Sequence, residues 1–290
     1  MAFLKKCADP FIRYVLKLNA QKAIARLRRE SDIYQKMVGD VLKDALDNNI
    51  TIEEKNWIDK IELKRKQLES SDEEIILTDF GARKIPDPEV YDIEIEKGRS
   101  VVSTVGAKCK SGSEIYFWVL VLFKLIRKFK PLLCIELGSC MGLSASFQAS
   151  ALHLNGSGKL VTMEGADSLA SIAKKNFQSL GLNNISLVLG RFQDTLRNVL
   201  CESKPIDYAF LDGHLDGVAT INYFEEIVPF CNNKALLIID NIFWSPSMKK
   251  AWKYIEADNR VKVTFNLRHF GICIIDNEKI EKQYYKIPLL

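Results

Sequence analysis

The sequence predicts an α/β protein: a seven-stranded, mostly parallel sheet with a C-terminal antiparallel hairpin, preceded by a helical N-terminal extension. Three observations carry this expectation. From about residue 112, short β-type runs alternate with amphipathic stretches, the order that builds βαβ crossovers and a parallel sheet. The last two runs are separated only by Arg268-His269-Phe270, which is too short for a crossover and right for a hairpin. Residues 11–70 instead repeat apolar positions at steps of three and four, the helical period.

Taken in chain order, Ile12, Val15, Leu16, Ile24, Leu27, Ile33, Met37, Val41, Leu42 and Leu46 mark helical faces among Lys, Arg, Asp and Glu. Asp47-Asn48-Asn49 reads as a stop. Thr51 followed by Glu54 is a capping-box pattern and starts a new helix. The acidic run from Glu69 to Glu74 ends it, and Gly81–Pro88, with two prolines, reads as a surface connection. A strongly apolar helix over Glu114–Phe129 ends before Pro131. The expected strands are Leu132–Leu137, Leu160–Glu164, Ile185–Leu189, Ile206–Leu211, Ala235–Ile239, Val261–Leu267 and Gly271–Ile275. The change of character divides the chain into an extension and connecting segment, residues 1–111, and an α/β domain, residues 112–290.

Composition narrows the classes. With 290 residues, 47% hydrophobic and 27% charged, the chain is ordinary for a globular protein, which excludes wholesale disorder and fibrous repeats. The net charge of +4 lies wholly in residues 1–70, with 15 basic and 11 acidic residues, and residues 71–290 are neutral. So mild a surplus does not imply nucleic acid, and no basic or aromatic RNA-binding module occurs in residues 112–276. Seven cysteines form no CxxC pair and no Cys/His cluster, so they are expected to be reduced thiols rather than a zinc site. No signal peptide is visible, and the longest apolar run, Ile115–Phe123, is far short of a membrane span. A soluble, cytoplasmic protein is expected.

The chemistry gathers at strand ends. Glu136-Leu137-Gly138-Ser139-Cys140-Met141-Gly142-Leu143-Ser144 puts a carboxylate on the first strand and two glycines before a helix. Gly138 can take backbone angles closed to other residues, and Gly142 is expected to let a ligand approach the free N–H groups of the helix start. The spacing is ExGxxxG, with neither the GxGxxG of dehydrogenases nor the GxxxxGK[ST] of nucleotide triphosphatases. Glu164 stands at the tip of the second strand, where a carboxylate can accept both hydroxyls of a ribose. Asp212 ends the fourth strand, and Asp240 and Asn241 end the fifth. Two carboxylates and an amide oxygen are hard ligands suited to magnesium or calcium.

With these stations in order, together with Gly190-Arg191-Phe192-Gln193-Asp194, the sequence resembles the class I S-adenosylmethionine-dependent methyltransferases of Rossmann-like fold. Within them it is most similar to the catechol O-methyltransferase-type enzymes that act on small molecules. The resemblance spans roughly residues 112–276. It implies an S-adenosylmethionine site formed by Glu136, Gly138, Gly142, Ser144, Glu164, Phe192, Gln193 and Asp212, with Ser144 near the methionine carboxylate and Phe192 and Gln193 bordering adenine. It also implies that Asp212, Asp240 and Asn241 hold a divalent ion, which lowers the pKa of an acceptor hydroxyl and aligns it with the methyl group.

Blander assignments stand beside these. Phe192 suits a core aromatic as well as an adenine neighbour, and Asp194 suits a helix cap. Asp240 and Asn241 could cap the following helix. The family's lysine base, three residues beyond the strand-four aspartate, is replaced by Leu215, which leaves His214 as the candidate catalytic base, with Asp212 as its catalytic partner. His153 reads as structural, His269 as a possible wall of the acceptor pocket, Trp244 as another, and Trp118 as core.

The expected activity is methyl transfer to a hydroxyl of a small molecule, assisted by a metal. The alternatives are a metal-independent O- or N-methyltransferase using His214, or a non-catalytic cofactor-binding interaction module. Phe3, Leu4, Phe11, Ile12, Val15 and Leu16 beside Lys5, Lys6, Arg13 and Lys17 would suit an anionic membrane surface. The preferred reading of the extension is a packing element that covers the acceptor site or forms a homodimer.

Overall fold

The computed structural model describes residues 10–81, 97–278, 281–287 and 289. The N-terminal residues 1–9 and most of the Gly81–Pro88 connection lie outside the described residues, as do the side chains of residues 10–17, and with them the residues of the membrane-surface expectation. No helix among the described residues is long and apolar enough to cross a membrane.

The extension folds as three helices: α1 (Pro10–Leu27), α2 (Ile33–Leu46) and α3 (Ile52–Glu69). The helical pattern expected to run to Asp47 breaks at residues 28–32, because the Asp32 side chain accepts the Tyr34 and Gln35 N–H groups and starts a new helix. The capping box at Thr51 and Glu54 is present in full. Two strands follow that the sequence does not announce. β1 (Glu74–Asp79) and β2 (Arg99–Thr104) pair antiparallel as a small separate sheet.

After α4 (Val105–Gly112) and the apolar α5 (Tyr116–Phe129), the α/β region begins. Its elements are β3 (Leu133–Leu137), α6 (Leu143–Asn155), β4 (Lys159–Glu164), α7 (Asp167–Leu180), β5 (Ile185–Leu189), α8 (Phe192–Ser203), β6 (Ile206–Leu211), α9 (Gly217–Ile227), β7 (Cys231–Ile239), α10 (Pro246–Ala257), β8 (Val261–Asn266) and β9 (Gly271–Asp276). All seven expected strands are there. An eighth, β10 (Gln283–Lys286), adds to the edge parallel to β8. The sheet order is β10-β8-β9-β7-β6-β3-β4-β5, with β9 antiparallel to both neighbours, as the three-residue connection from β8 requires.

Strand alternation divides the core into two layers. Cys134, Leu160, Tyr208, Phe210, Leu236 and Ile238 face α5, α6 and α7, while Ile135, Met163, Ala209, Leu211, Leu237 and Ile239 face α8, α9 and α10. The first layer is continuous with the extension, since Ile24 of α1, Val41 and Leu42 of α2, and Ile58 and Ile61 of α3 belong to the same apolar cluster. One buried ion pair locks this seam. Glu54 accepts from Lys124 Nζ at 2.6 Å and from Arg127 Nε at 3.3 Å, with Glu54 and Lys124 both close to fully buried. Burial alone would raise the Glu54 pKa; the hydrogen bonds from Lys124 and the Thr51 N–H outweigh it and hold the carboxyl below its ordinary value. Tyr34 of α2 adds a buried hydrogen bond to Asp276 at 2.7 Å, at the far end of the sheet.

Candidate active site

Strand order reverses at β3, which has β4 on one side and β6 on the other, and crevices at such points collect ligands in open α/β sheets. Gly138 sits there with φ +102°, and a Cβ added to it would stand 2.4 Å from the carbonyl oxygen of Asp212. The two strand tips therefore cross at backbone contact, which only glycine permits. The opening above them is a cleft of about 370 Å³, lined by Gly138, Cys140, Glu164, Arg191, Phe192, Gln193, Asp212, His214, Asn241 and Trp244.

Glu164 is half-buried at one wall. Its carboxylate accepts the N–H of Cys140 at 2.8 Å and of Ala166 at 2.9 Å, which fixes it across the loop from β3. Burial raises its pKa, offset in part by those two N–H groups and by the charge of Lys108. Phe192 is half-buried, packs edge-on to Tyr223 and lies against the backbone of Gly213, so it serves the core and the cleft together. Gln193 is exposed at the rim. Asp194 does not cap α8; it forms a two-pronged pair with Arg191 at 2.6 and 3.0 Å.

Three expected residues stand behind the loop rather than in the cleft. Glu136 is fully buried, accepts from Gln148 at 2.6 Å and Thr162 at 2.5 Å, and takes a further hydrogen bond from Ser144. Burial pushes its pKa to about 7, so it is a structural carboxyl that braces the loop from below. Ser144 is buried and turned to that carboxyl. Gly142, at φ +81°, packs against α7, where an added Cβ would stand 2.5 Å from the Phe177 ring. Its smallness serves that packing.

The acidic floor does assemble. Asp212 and Asp240 share a hydrogen bond, and both pKa values are raised, first by burial and then by neighbouring carboxylate charge. Asn241, in the left-handed region at φ 52°, turns its amide nitrogen onto Asp240 Oδ2. Neither residue caps the next helix, since Ser245 caps α10 by accepting the Met248 N–H. Asp240 is fully buried, yet its Oδ1 receives no hydrogen bond. Such a pair of crowded carboxylates with an orphaned oxygen is a donor set that fits a divalent cation.

His214 lines the cleft. Its Nδ1 lies 2.9 Å from the Tyr223 hydroxyl, while Nε2 is buried with no partner. Burial lowers its pKa, against the opposing charges of Asp216 and Asp79. His214 and Leu215 are consecutive left-handed residues, a conformation that bulky side chains rarely hold. Asp216 is the cap of α9 and accepts the Ala219 N–H at 2.9 Å. His269 stacks on buried Trp118 with ring centroids 4.7 Å apart and reaches Glu114 at 3.0 Å. His153 is exposed and packs edge-on to Trp57.

Sequence reasoning missed the cleft residues Asp79, Phe80, Lys108 and Glu114. They come from β1, α4 and the turn before α5, and no motif marks them because their approach to the strand tips is purely tertiary. Phe80 covers Gly165, directly after Glu164, so the β1–β2 sheet supplies one wall of the cleft.

Residues 135–242, from β3 to just past β7, match the family described as a methyltransferase domain. That stretch of the chain is similar to a methyltransferase domain. The match encloses the Gly138 turn, Glu164, Asp212, Asp240 and Asn241. Solved structures of similar fold include methyltransferases. An O-methyltransferase of Bacillus cereus in complex with S-adenosylhomocysteine is 20% identical, with a TM-score of 0.51, covering 67% of this chain and 93% of that one. A methyltransferase of Podospora anserina bound to S-adenosylhomocysteine is 16% identical, with a TM-score of 0.51, covering 57% and 80%. A search of curated proteins finds no match.

Proposed function

We propose that the chain transfers a methyl group from S-adenosylmethionine to a hydroxyl oxygen of a small molecule, assisted by a divalent cation at the acidic floor. Residues 112–290 form the catalytic domain in this reading, with residues 1–111 packed on it as an extension. The observation that carries it is the meeting, in one cleft, of the Glu164 carboxylate, the Gly138 turn and Asp212, with Asp240 buried against Asp212. Solved relatives with bound S-adenosylhomocysteine support the cofactor.

S-adenosylmethionine, when bound, supplies a methyl group already activated on a sulfonium. The protein's task is then binding and alignment. Glu164 would accept the ribose hydroxyls, and Phe192 with Gln193 would border the base. The narrow Gly138 turn lets the cofactor lie against the backbone. Asp212, Asp240 and Asn241 hold the cation, which would lower the pKa of the acceptor hydroxyl and orient its oxygen. Trp244 would wall the acceptor end and Phe80, over Gly165, the ribose side, so that both exclude water from a charge-neutralising transfer. The acceptor's hydroxyl proton would pass to solvent as its oxygen gains the methyl group, and the cofactor would leave as its neutral thioether.

His214 favours a second reading. His214 lines a cleft in which the usual lysine is Leu215, and its Nε2 has no hydrogen-bond partner, so a metal-independent transfer with His214 as proton acceptor has a specific residue behind it.

Calorimetry with S-adenosylmethionine tests the first reading. Wild-type protein is expected to bind, and Glu164→Gln to bind at least about tenfold more weakly through loss of charge-assisted hydrogen bonds. Absence of wild-type binding would remove the enzyme reading. Methyl transfer to hydroxylated aromatics that persists under chelation but stops in His214→Ala would select the second.

A further inference from the structure

We infer that the cation site includes Glu114 and His269 together with Asp240, and so takes a transition-metal ion of the manganese, iron or zinc type in preference to magnesium or calcium. This rests on the metal-assisted reading above and extends it by two residues outside the Asp212, Asp240 and Asn241 set.

The geometry is the first argument. One donor atom each from Glu114, Asp240 and His269 lies within 4.8 Å of the others. His269 Nε2 is 3.0 Å from Glu114 Oε2 and 3.2 Å from Asp240 Oδ1. Ligands held about 2.1 Å from a common ion at right angles stand about 3 Å apart, so the nitrogen is already at ligand spacing from both carboxylates. The second argument is burial. Asp240 is fully buried, and its Oδ1 lies 3.2 Å from His269 Nε2 yet accepts no hydrogen bond of proper geometry from it. A buried carboxylate oxygen whose neighbour stands beside it without bonding it leaves room for a cation shared by the two.

Charge is the third. Glu114, Asp212 and Asp240 converge at the cleft floor, and among the described residues no lysine or arginine forms an ion pair with any of them. A single imidazole cannot balance three carboxylates, whereas a divalent ion nearly does. The ligand types then decide the ion. Oxygen-only sites suit magnesium and calcium, and an imidazole nitrogen shifts preference toward manganese, iron, cobalt and zinc. His269 is held for this task, its ring stacked on Trp118. The placement also ties the metal to the fold's periphery. His269 comes from the β8–β9 turn and Glu114 from the turn before α5, so the site forms only when the extension-side segment docks on the sheet.

The test uses the full chain with Mn²⁺ or Zn²⁺ alone as the probe, read by calorimetry, and by electron spin-echo modulation for Mn²⁺. His269→Phe keeps a ring over Trp118, and Glu114→Gln keeps the side-chain shape; melting curves confirm that both fold. The expected result is nitrogen modulation from an imidazole in the wild-type Mn²⁺ signal. Its loss in His269→Phe should accompany at least a tenfold fall in Mn²⁺ and Zn²⁺ affinity, with a smaller fall in Glu114→Gln. Mn²⁺ binding without nitrogen modulation, unchanged in His269→Phe and lost in Asn241→Ala, would overturn the inference while leaving metal assistance standing. Failure of the wild type to bind any divalent ion would overturn it as well. S-adenosylmethionine binding measured on the same samples shows whether the methyltransferase reading survives that outcome.

Discussion

Gly138→Ala and Gly156→Ala form a matched pair that isolates one contact. Both glycines have positive φ, +102° and +76°, so each substitution carries the cost of a left-handed L-residue, about 1–2 kcal/mol. They differ in what a Cβ would meet. At Gly156, which ends α6, nothing lies within 4 Å. At Gly138 the Asp212 carbonyl oxygen is 2.4 Å away and its carbon 2.9 Å, both backbone atoms that no rotamer change can move. That backbone is fixed in turn, because the Asp212 N–H donates to the Leu137 carbonyl at 3.0 Å. Relieving the clash means parting β3 from β6 at their tips, at a cost of about 1–3 kcal/mol beyond the shared φ term. At about 2–4 °C per kcal/mol, Gly138→Ala should melt several degrees below Gly156→Ala in a thermal scan. It should also weaken S-adenosylmethionine binding by about tenfold or more in calorimetry, because the displaced tip carries Asp212, while Gly156→Ala binds normally. Equal melting temperatures and equal affinities for the two variants would refute the crossing-strand argument.

Further outcomes follow from the same structure. Glu54→Gln keeps the capping box but leaves Lys124 buried beside a neutral side chain, and should cost about 3–5 kcal/mol in denaturant unfolding. Because the folded-state pKa of Glu54 is depressed, its stabilisation is present above the ordinary glutamate value near about 4.3 and is lost as pH falls through the lower folded value. The stability gap between wild type and Glu54→Gln should therefore close in acid and be widest near neutrality, which unfolding curves at pH 3 to 7 would show. Tyr34→Phe removes the buried hydrogen bond to Asp276 and should lower stability by about 1–3 kcal/mol without altering cofactor affinity, as unfolding and calorimetry on the same variant would reveal. Gly213→Ala would force its Cβ to 2.2 Å from the Phe192 ring, so the ring must turn away; cofactor affinity should fall more than stability does.

How much of this was legible before folding differs from element to element. The seven strands were, because each is a short apolar run set off from its neighbours by turns or amphipathic helices. β10 was not, because Gln283–Lys286 is four half-exposed residues whose place depends on the open edge of β8. β1 and β2 were not, because they pair only with each other, across a connection whose composition reads as loop. At the site, Glu164, Asp212, Asp240 and Asn241 were legible since strand tips are where a parallel sheet puts its ligands. What surrounds Glu136, Ser144 and Gly142 was not legible, because it is set by α6 and α7 packing beneath the loop, through Gln148 and Phe177.

The sequence alone therefore determined the sheet, its hairpin and the carboxylates at its edge. Those follow from local periodicity and from residues adjacent to strand ends, which need no knowledge of the rest of the chain. Only the tertiary structure decided what faces those carboxylates. Glu114 and His269 are 155 positions apart and meet at 3.0 Å because α5 and the β8–β9 turn close on the same edge. Phe80 and Asp79 reach the cleft because the β1–β2 sheet covers it. Contacts of such long range leave no spacing to read, since chain distance sets their entropy of closure and not their pattern.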